Sequence, residues 1–188
     1  MWDKEIFLFL NFDGGELLDK VMLFASGHLS WIPLYLLILA IVWRRAGWKS
    51  MFILLLAIAA AVGLSDLFAG IFKHTGPLKH LLPDFPVRLR PMHTPELNGV
   101  VHYIYKGGEF GTISAHAATA TSIGWLATRA IRDRWFVSIM WSQVAVVSYS
   151  RIYLGYHFPQ DIIIGVAVGI ASGSLMWMLY KIVTKRVR

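Results

Sequence analysis

Residues 21–72 carry only four charged side chains, Arg44, Arg45, Lys49 and Asp66, in fifty-two positions. A hydrocarbon core is crossed by roughly 20 apolar residues, and inside lipid the backbone must satisfy its own polar groups, which for single segments means helices. The rest of the chain agrees, with 56% hydrophobic and 15% charged residues among 188. The expectation is one all-α integral membrane bundle covering residues 1–188, with about five transmembrane helices at approximately 21–43, 48–72, 113–128, 135–149 and 162–180. In residues 1–16, Trp2, Ile6, Phe9 and Leu10 recur at helical spacing among polar residues, which predicts an amphipathic helix lying in the membrane interface. No basic region with a small-residue cleavage site precedes a short apolar run, so this segment reads as retained rather than as a signal peptide.

The third span differs from the others. Its run Ser114-Ala-His116-Ala-Ala-Thr-Ala-Thr-Ser122 is small and hydroxylated. Such residues let helix backbones approach closely, so this helix is expected at the centre of the bundle. Five spans put the two ends of the bundle on opposite sides. Arg44, Arg45, Lys49, Arg129, Arg132, Arg134, Lys181, Lys185, Arg186 and Arg188 lie in short turns and the tail at one end, which the positive-inside bias makes cytoplasmic. The loop 73–111 and the head of the fifth span then face outward. The tryptophans at 31, 43, 48, 135 and 177 fall mostly near span ends, as an aromatic belt requires.

The absence of cysteine excludes disulfides and thiolate metal sites. A net charge of +7 invites nucleic acid as a partner, but the basic residues sit in short clusters beside apolar segments, so nucleic-acid binding is excluded in favour of membrane topology. His74, His80, His93 and His102 share the outer loop without compact ligand spacing and read as loop residues or headgroup contacts, with no metal site. Asp66, in a span, requires a buried partner or a wet cavity; His28 reads as a hydrogen-bonded interior residue.

The chemistry concentrates in Ser150-Arg151-Ile-Tyr-Leu-Gly-Tyr-His157-Phe-Pro-Gln-Asp161, between two apolar segments. Ionisable groups there are costly and usually functional. Arginine offers a planar fork for phosphate oxygens, and a histidine four residues before an aspartate can be held in one tautomer as a nucleophile. Pro159 suits the first turn of a helix that would carry Asp161. Two further stretches reach the same membrane face: Val87-Arg88-Leu89-Arg90-Pro91, and Gly111-Thr112-Ile113-Ser114-Ala115-His116, where Ser114 is a candidate N-cap and a helix start can hold an anion. Arg88 and Lys79 read as solvated. The simplest assembly is one anion pocket with two imidazoles.

These stretches resemble the type 2 phosphatidic acid phosphatase (PAP2) family, which has three motifs: Lys, six residues, Arg-Pro; Pro-Ser-Gly-His; and Ser-Arg, five residues, His, three residues, Asp. The third is matched in full by Ser150, Arg151, His157 and Asp161. The second is matched by Ser114 and His116, with Ile113 for proline and Ala115 for glycine. The first is matched at Arg90-Pro91, with Lys73 or Lys79 as the lysine. The resemblance implies that His157 attacks phosphorus to form a phosphohistidine and that Asp161 orients its ring. His116 then protonates the leaving group and activates water. Arg90, Arg151, Lys73 and the Ser114 and Ala115 backbone hold the phosphoryl oxygens. It implies no metal and no cofactor, since the cations take that place. The expected function is phosphate release from an envelope lipid, whether undecaprenyl pyrophosphate, phosphatidylglycerol phosphate, phosphatidic acid or a lipid A phosphate, at the outer face of the cytoplasmic membrane. The rival readings are a non-enzymatic membrane protein or lipid transporter, and a haloperoxidase-like use of the same pocket.

Overall fold

The computed structural model describes residues 2–72, 81 and 88–187. Six α-helices account for most of them: α1 (Trp2–Leu10), α2 (Gly15–Ser26), α3 (Ile32–Ile71), α4 (Ala115–Ile131), α5 (Arg134–Tyr153) and α6 (Pro159–Val187). No strand is present among the described residues, only an isolated antiparallel bridge between Leu89 and Phe110. Two helical stretches, Leu29–Ile71 and Pro159–Arg186, are long and apolar enough to cross a bilayer.

Helix α4 lies at the centre, packed against α3, α5 and α6. Its residues Ala117, Ala118, Thr121, Leu126 and Ala127 are fully enclosed. The sequence reason has two halves. The small side chains of α4 leave room, and α6 presents Gly165, Gly169 and Gly173 at a spacing of four, which places them on one face. A Cβ on Gly165 would lie 2.6 Å from the Ser114 carbonyl oxygen, and one on Gly169 would lie 2.7 Å from Thr121 Cβ. Backbone therefore meets backbone along this seam. On the other flank Ile38, Val42, Leu54 and Ala61 of α3 pack with Leu126 and Ile131 of α4 and with Met140 of α5.

The predicted spans at 21–43 and 48–72 are organised differently. The first is broken: α2 stops at Ser26, and a short 3-10 turn at Leu29–Trp31 leads into α3. The Ser30 hydroxyl donates to the Phe24 carbonyl (2.5 Å) and the Trp31 indole to that of Ala25 (2.8 Å), so side chains satisfy carbonyls at the end of α2. The expected turn near residues 44–47 is a single kink inside α3 at Gly47, whose φ of 81° is open to glycine without penalty. There Arg45 donates to the Ile131 carbonyl and ties the kink to the end of α4 (2.9 Å). Next to it, Arg132 takes a left-handed φ of 53° and Asp133 caps α5 through the Phe136 amide (3.1 Å).

Helix α1 is amphipathic as expected, with Trp2, Ile6 and Phe9 exposed, but it does not simply float on the surface. Phe7 is fully buried, edge-on to Phe158 at a centroid distance of 5.2 Å, and Asp3 is buried as well. Asp66 lies exposed on the flank of α3 instead of buried against a partner. Trp43, Trp48 and Trp135 are exposed at helix ends and bends, where a bilayer interface would receive them.

Candidate active site

The reversal between α5 and α6 builds the heart of the site. After Tyr153 the chain bends through Gly155, whose φ is 71° and whose Cβ would sit 3.0 Å from the His102 carbonyl. The amides of Tyr156 and His157 both return to the Arg151 carbonyl, at 3.0 and 3.2 Å. Arg151 and His157 are thereby fixed on one turn of chain. Pro159 then opens α6, and Asp161 falls within its first turn. Asp161 Oδ2 accepts from the Phe158 amide (3.0 Å) and lies 3.4 Å from His157 Nδ1. Both side chains are buried.

The start of α4 joins this turn directly. The Ser114 amide donates to the Asp161 carbonyl at 3.1 Å. Ser114 also caps its own helix, accepting from the Ala117 amide at 3.4 Å. Since Ser114's amide is engaged, the amides of Ala115 and His116 are the ones at the helix start with no carbonyl of their own helix to bond. His116, half-buried, sits in that first turn, within electrostatic reach of Arg151, His157 and Arg90. Both histidines thus lie at the same end of the bundle.

The third segment arrives through the Leu89–Phe110 bridge. Arg90 is held by its amide on the Glu109 carbonyl (2.9 Å) and by Nε on that of Phe110 (3.2 Å). Burial pulls its guanidinium below the ordinary value, a trend opposed by Tyr156 and Asp161. Gly111 lets this segment touch the centre: a Cβ there would lie 2.9 Å from Arg90 Cγ and 3.1 Å from His157 Cε1. Arg90 and Arg151 meet over one ring, their guanidinium carbons 5.6 and 4.2 Å from the Tyr156 centroid. Ser26 accepts from Arg151 Nη1, while the buried Arg151 Nε has no protein acceptor among the described residues. Lys73 and Lys79 lie outside the described residues. Phe72, next to Lys73, accepts a bond from Thr112 at 3.3 Å.

Arg88 departs from its expected solvated state. Its Nη1 donates to Asp161 Oδ1 at 3.1 Å, Nη2 pairs with Asp3, and its guanidinium carbon is 4.0 Å from the Phe158 centroid. Asp3 in turn accepts from the Gln160 amide (2.9 Å). Asp161 therefore faces His157 with one oxygen and a cation with the other. Sequence reasoning missed this role, as it missed Tyr156; the arginine two residues before Arg90 and the aromatic beside His157 were the available signals. His28 is exposed instead of interior, with its ring 4.6 Å from that of His116. Of the loop histidines, His93 contacts the Gly107 carbonyl and His102 pairs with Asp19, both through Nε2.

The sequence profile of the PAP2 superfamily matches residues 67–185. The chain belongs to this superfamily. Among similar proteins, the lipid A 4'-phosphatase of Porphyromonas gingivalis is 32% identical over 181 residues, spanning 95% of this chain and 72% of that protein. The undecaprenyl-diphosphatase of Sulfolobus acidocaldarius is 26% identical over 173 residues, 89% of this chain and 73% of that one. The fold is shared with LpxE of Aquifex aeolicus, with a TM-score of 0.63, 21% identity and coverage of 94% of both chains. It is shared too with a transmembrane PAP2-type phosphatidylglycerolphosphate phosphatase of Bacillus subtilis, at 0.62, 20% identity and coverage of 99% and 86%.

Proposed function

We propose that this protein removes phosphate from a membrane lipid through a phosphohistidine at His157. The single observation that supports this most is the bond from the Ser114 amide to the Asp161 carbonyl, which joins the segment bearing His116 to the turn bearing His157. An anion seated between them meets both imidazoles. In the first step a His157 ring nitrogen, Nε2, attacks phosphorus while Asp161 holds the ring through Nδ1 and stabilises the positive charge that develops. The P–O bond to the lipid breaks, and His116 gives its proton to the departing oxygen. In the second step His116 takes a proton from water, the new hydroxide oxygen bonds phosphorus, and the P–N bond breaks.

Arg90, Arg151 and the Ala115 amide, with Lys73, hold the phosphoryl oxygens over which charge spreads in the transition state. Fixed donors of this kind each contribute about 10²- to 10³-fold in kcat. The cations stand where a metal would otherwise act, so phosphate release survives EDTA. The single domain, residues 1–188, sits in the cytoplasmic membrane. Its site faces outward, the loop 73–111 selects the headgroup, and the C-terminus is cytoplasmic, in keeping with Arg129, Arg132, Arg134, Lys181 and Lys185 at the opposite end. A site at the interface receives the phosphate while the tail stays in lipid. A lipid A phosphate comes first among the substrates and undecaprenyl pyrophosphate second, an order that the names of the relatives support. Phosphatidylglycerol phosphate and phosphatidic acid follow.

The test is phosphate release from these four lipids in detergent with EDTA. The wild type releases phosphate, and His157→Ala abolishes release. Equal rates in His157→Ala reject the nucleophile, a divalent-metal requirement rejects the cation-only pocket, and no release from any lipid favours a binding or transport protein.

A further inference from the structure

Residues 26–28, the elbow between α2 and α3, lie outside the region 67–185 that the family profile covers. The elbow is held tightly. Besides the bonds from Ser30 and Trp31, the Gly27 amide returns to the Phe24 carbonyl at 3.0 Å, and a Cβ on Gly27 would fall 3.1 Å from Ser30 Oγ. Both polar side chains of this fixed elbow go to the site. Ser26 accepts from Arg151 Nη1, and the His28 ring lies 4.6 Å from the His116 ring, inclined by 54°.

His116 needs such a neighbour. A leaving-group acid must exchange its proton at the nitrogen that faces the departing oxygen, and an acceptor on the other nitrogen, which keeps that one protonated throughout, decides this. His157 has Asp161 for that purpose, whereas no carboxylate pairs with His116 among the described residues. The charged groups around His116 are Arg151 and Arg90, and an arginine offers donors only. A neutral imidazole offers one acceptor nitrogen. Behind the two rings is a small chamber lined also by Tyr35, Thr119 and Gln143. The Gln143 amide donates to Tyr35 Oη at 3.3 Å, and its own oxygen, buried, has no protein partner among the described residues. Trp31, Ala120 and Val147 line the rest of this chamber, so Tyr35, Thr119 and Gln143 are polar groups set in a largely apolar wall beside the imidazole pair.

We propose that His28 is the positioning residue of His116: it accepts from the distal ring N–H, so that the proton given to the leaving oxygen and later regained from water is exchanged at the nitrogen facing the substrate. This rests on His116 being the leaving-group acid. It assigns the N-terminal third of the chain a part in the reaction that the three motifs do not contain.

An aryl leaving group departs as a stable anion and needs little acid help, whereas an alkoxide needs it fully. The experiment compares a long-chain alkyl phosphate with p-nitrophenyl phosphate on the full-length protein in detergent. His28→Ala lowers kcat on the alkyl ester about 10- to 100-fold but on the aryl ester by less than about 3-fold, with KM little changed on both, because general acid catalysis is worth about 10²- to 10⁴-fold. His28→Gln, which keeps an acceptor oxygen, recovers part of the alkyl rate. Equal losses on the two substrates in both variants, no loss, or a loss confined to KM overturns the proposal. His116→Ala is the reference. If it lacks the same bias toward alkyl esters, the acid assignment itself is what fails.

Discussion

Gly111 shows how little room is left between Arg90 and His157. Any side chain there would push on Arg90 or His157, both of which are restrained by other bonds. Gly111→Ala is expected to lower kcat/KM about 10- to 100-fold, since a displacement approaching 1 Å can cost about 10²-fold, while helix content by circular dichroism stays at the wild-type level. Arg88 is a second case. Removing it leaves the buried Asp161 and Asp3 facing each other without a cation, so Arg88→Gln is expected to depress kcat and melting temperature together. Asp3→Asn added to Arg88→Gln restores part of the melting temperature, as a double-mutant cycle would reveal. Arg151, His157 and Asp161 were legible because eleven residues of sequence hold them all. Arg88 was not, because a loop cation with a partner 85 positions away looks the same in sequence as a solvated one.

Among the elements, the contact between α4 and α6 sets the geometry of everything above it. Gly165 abuts Ser114, the residue that caps α4 and bonds Asp161, so the glycine seam runs straight into the site. Gly169→Val forces the two backbones apart and is expected to cost at least about 1–3 kcal/mol, read as a lower midpoint of thermal unfolding in detergent. The central place of α4 could be read from its small residues, and the spacing of Gly165, Gly169 and Gly173 carried the matching half of that signal. The break at Gly27 could not be read, because Ser30 and Trp31 sit inside an apolar run and only their bonds to α2 carbonyls show that the helix has ended. Lacking that break, His28 looked like an interior residue of a span.

For the whole molecule, Asn11 is the junction. Its amide donates to the carbonyls of His102, Ile152 and Tyr153 at 2.9, 3.1 and 2.7 Å, and its oxygen accepts from the His102 amide at 2.8 Å. One buried side chain thus joins the end of α1, the outer loop and the end of α5. Asn11→Ala strands several buried backbone groups and is expected to cost about 2–4 kcal/mol in thermal unfolding, with the loss of activity following the loss of fold. Orientation has a direct test. The chain has no cysteine, so single cysteines introduced at Lys106 and Lys185 report sidedness cleanly. The first is expected to react with an impermeant maleimide in intact cells and the second only after permeabilisation. The reverse pattern rejects the outward-facing site.

The bond between Asp3 and the Gln160 amide joins α1 to the first turn of α6. The same turn that carries Asp161 therefore also anchors α1. Closure of this fold is thus mutual: neither helix is fully held until the other is in place.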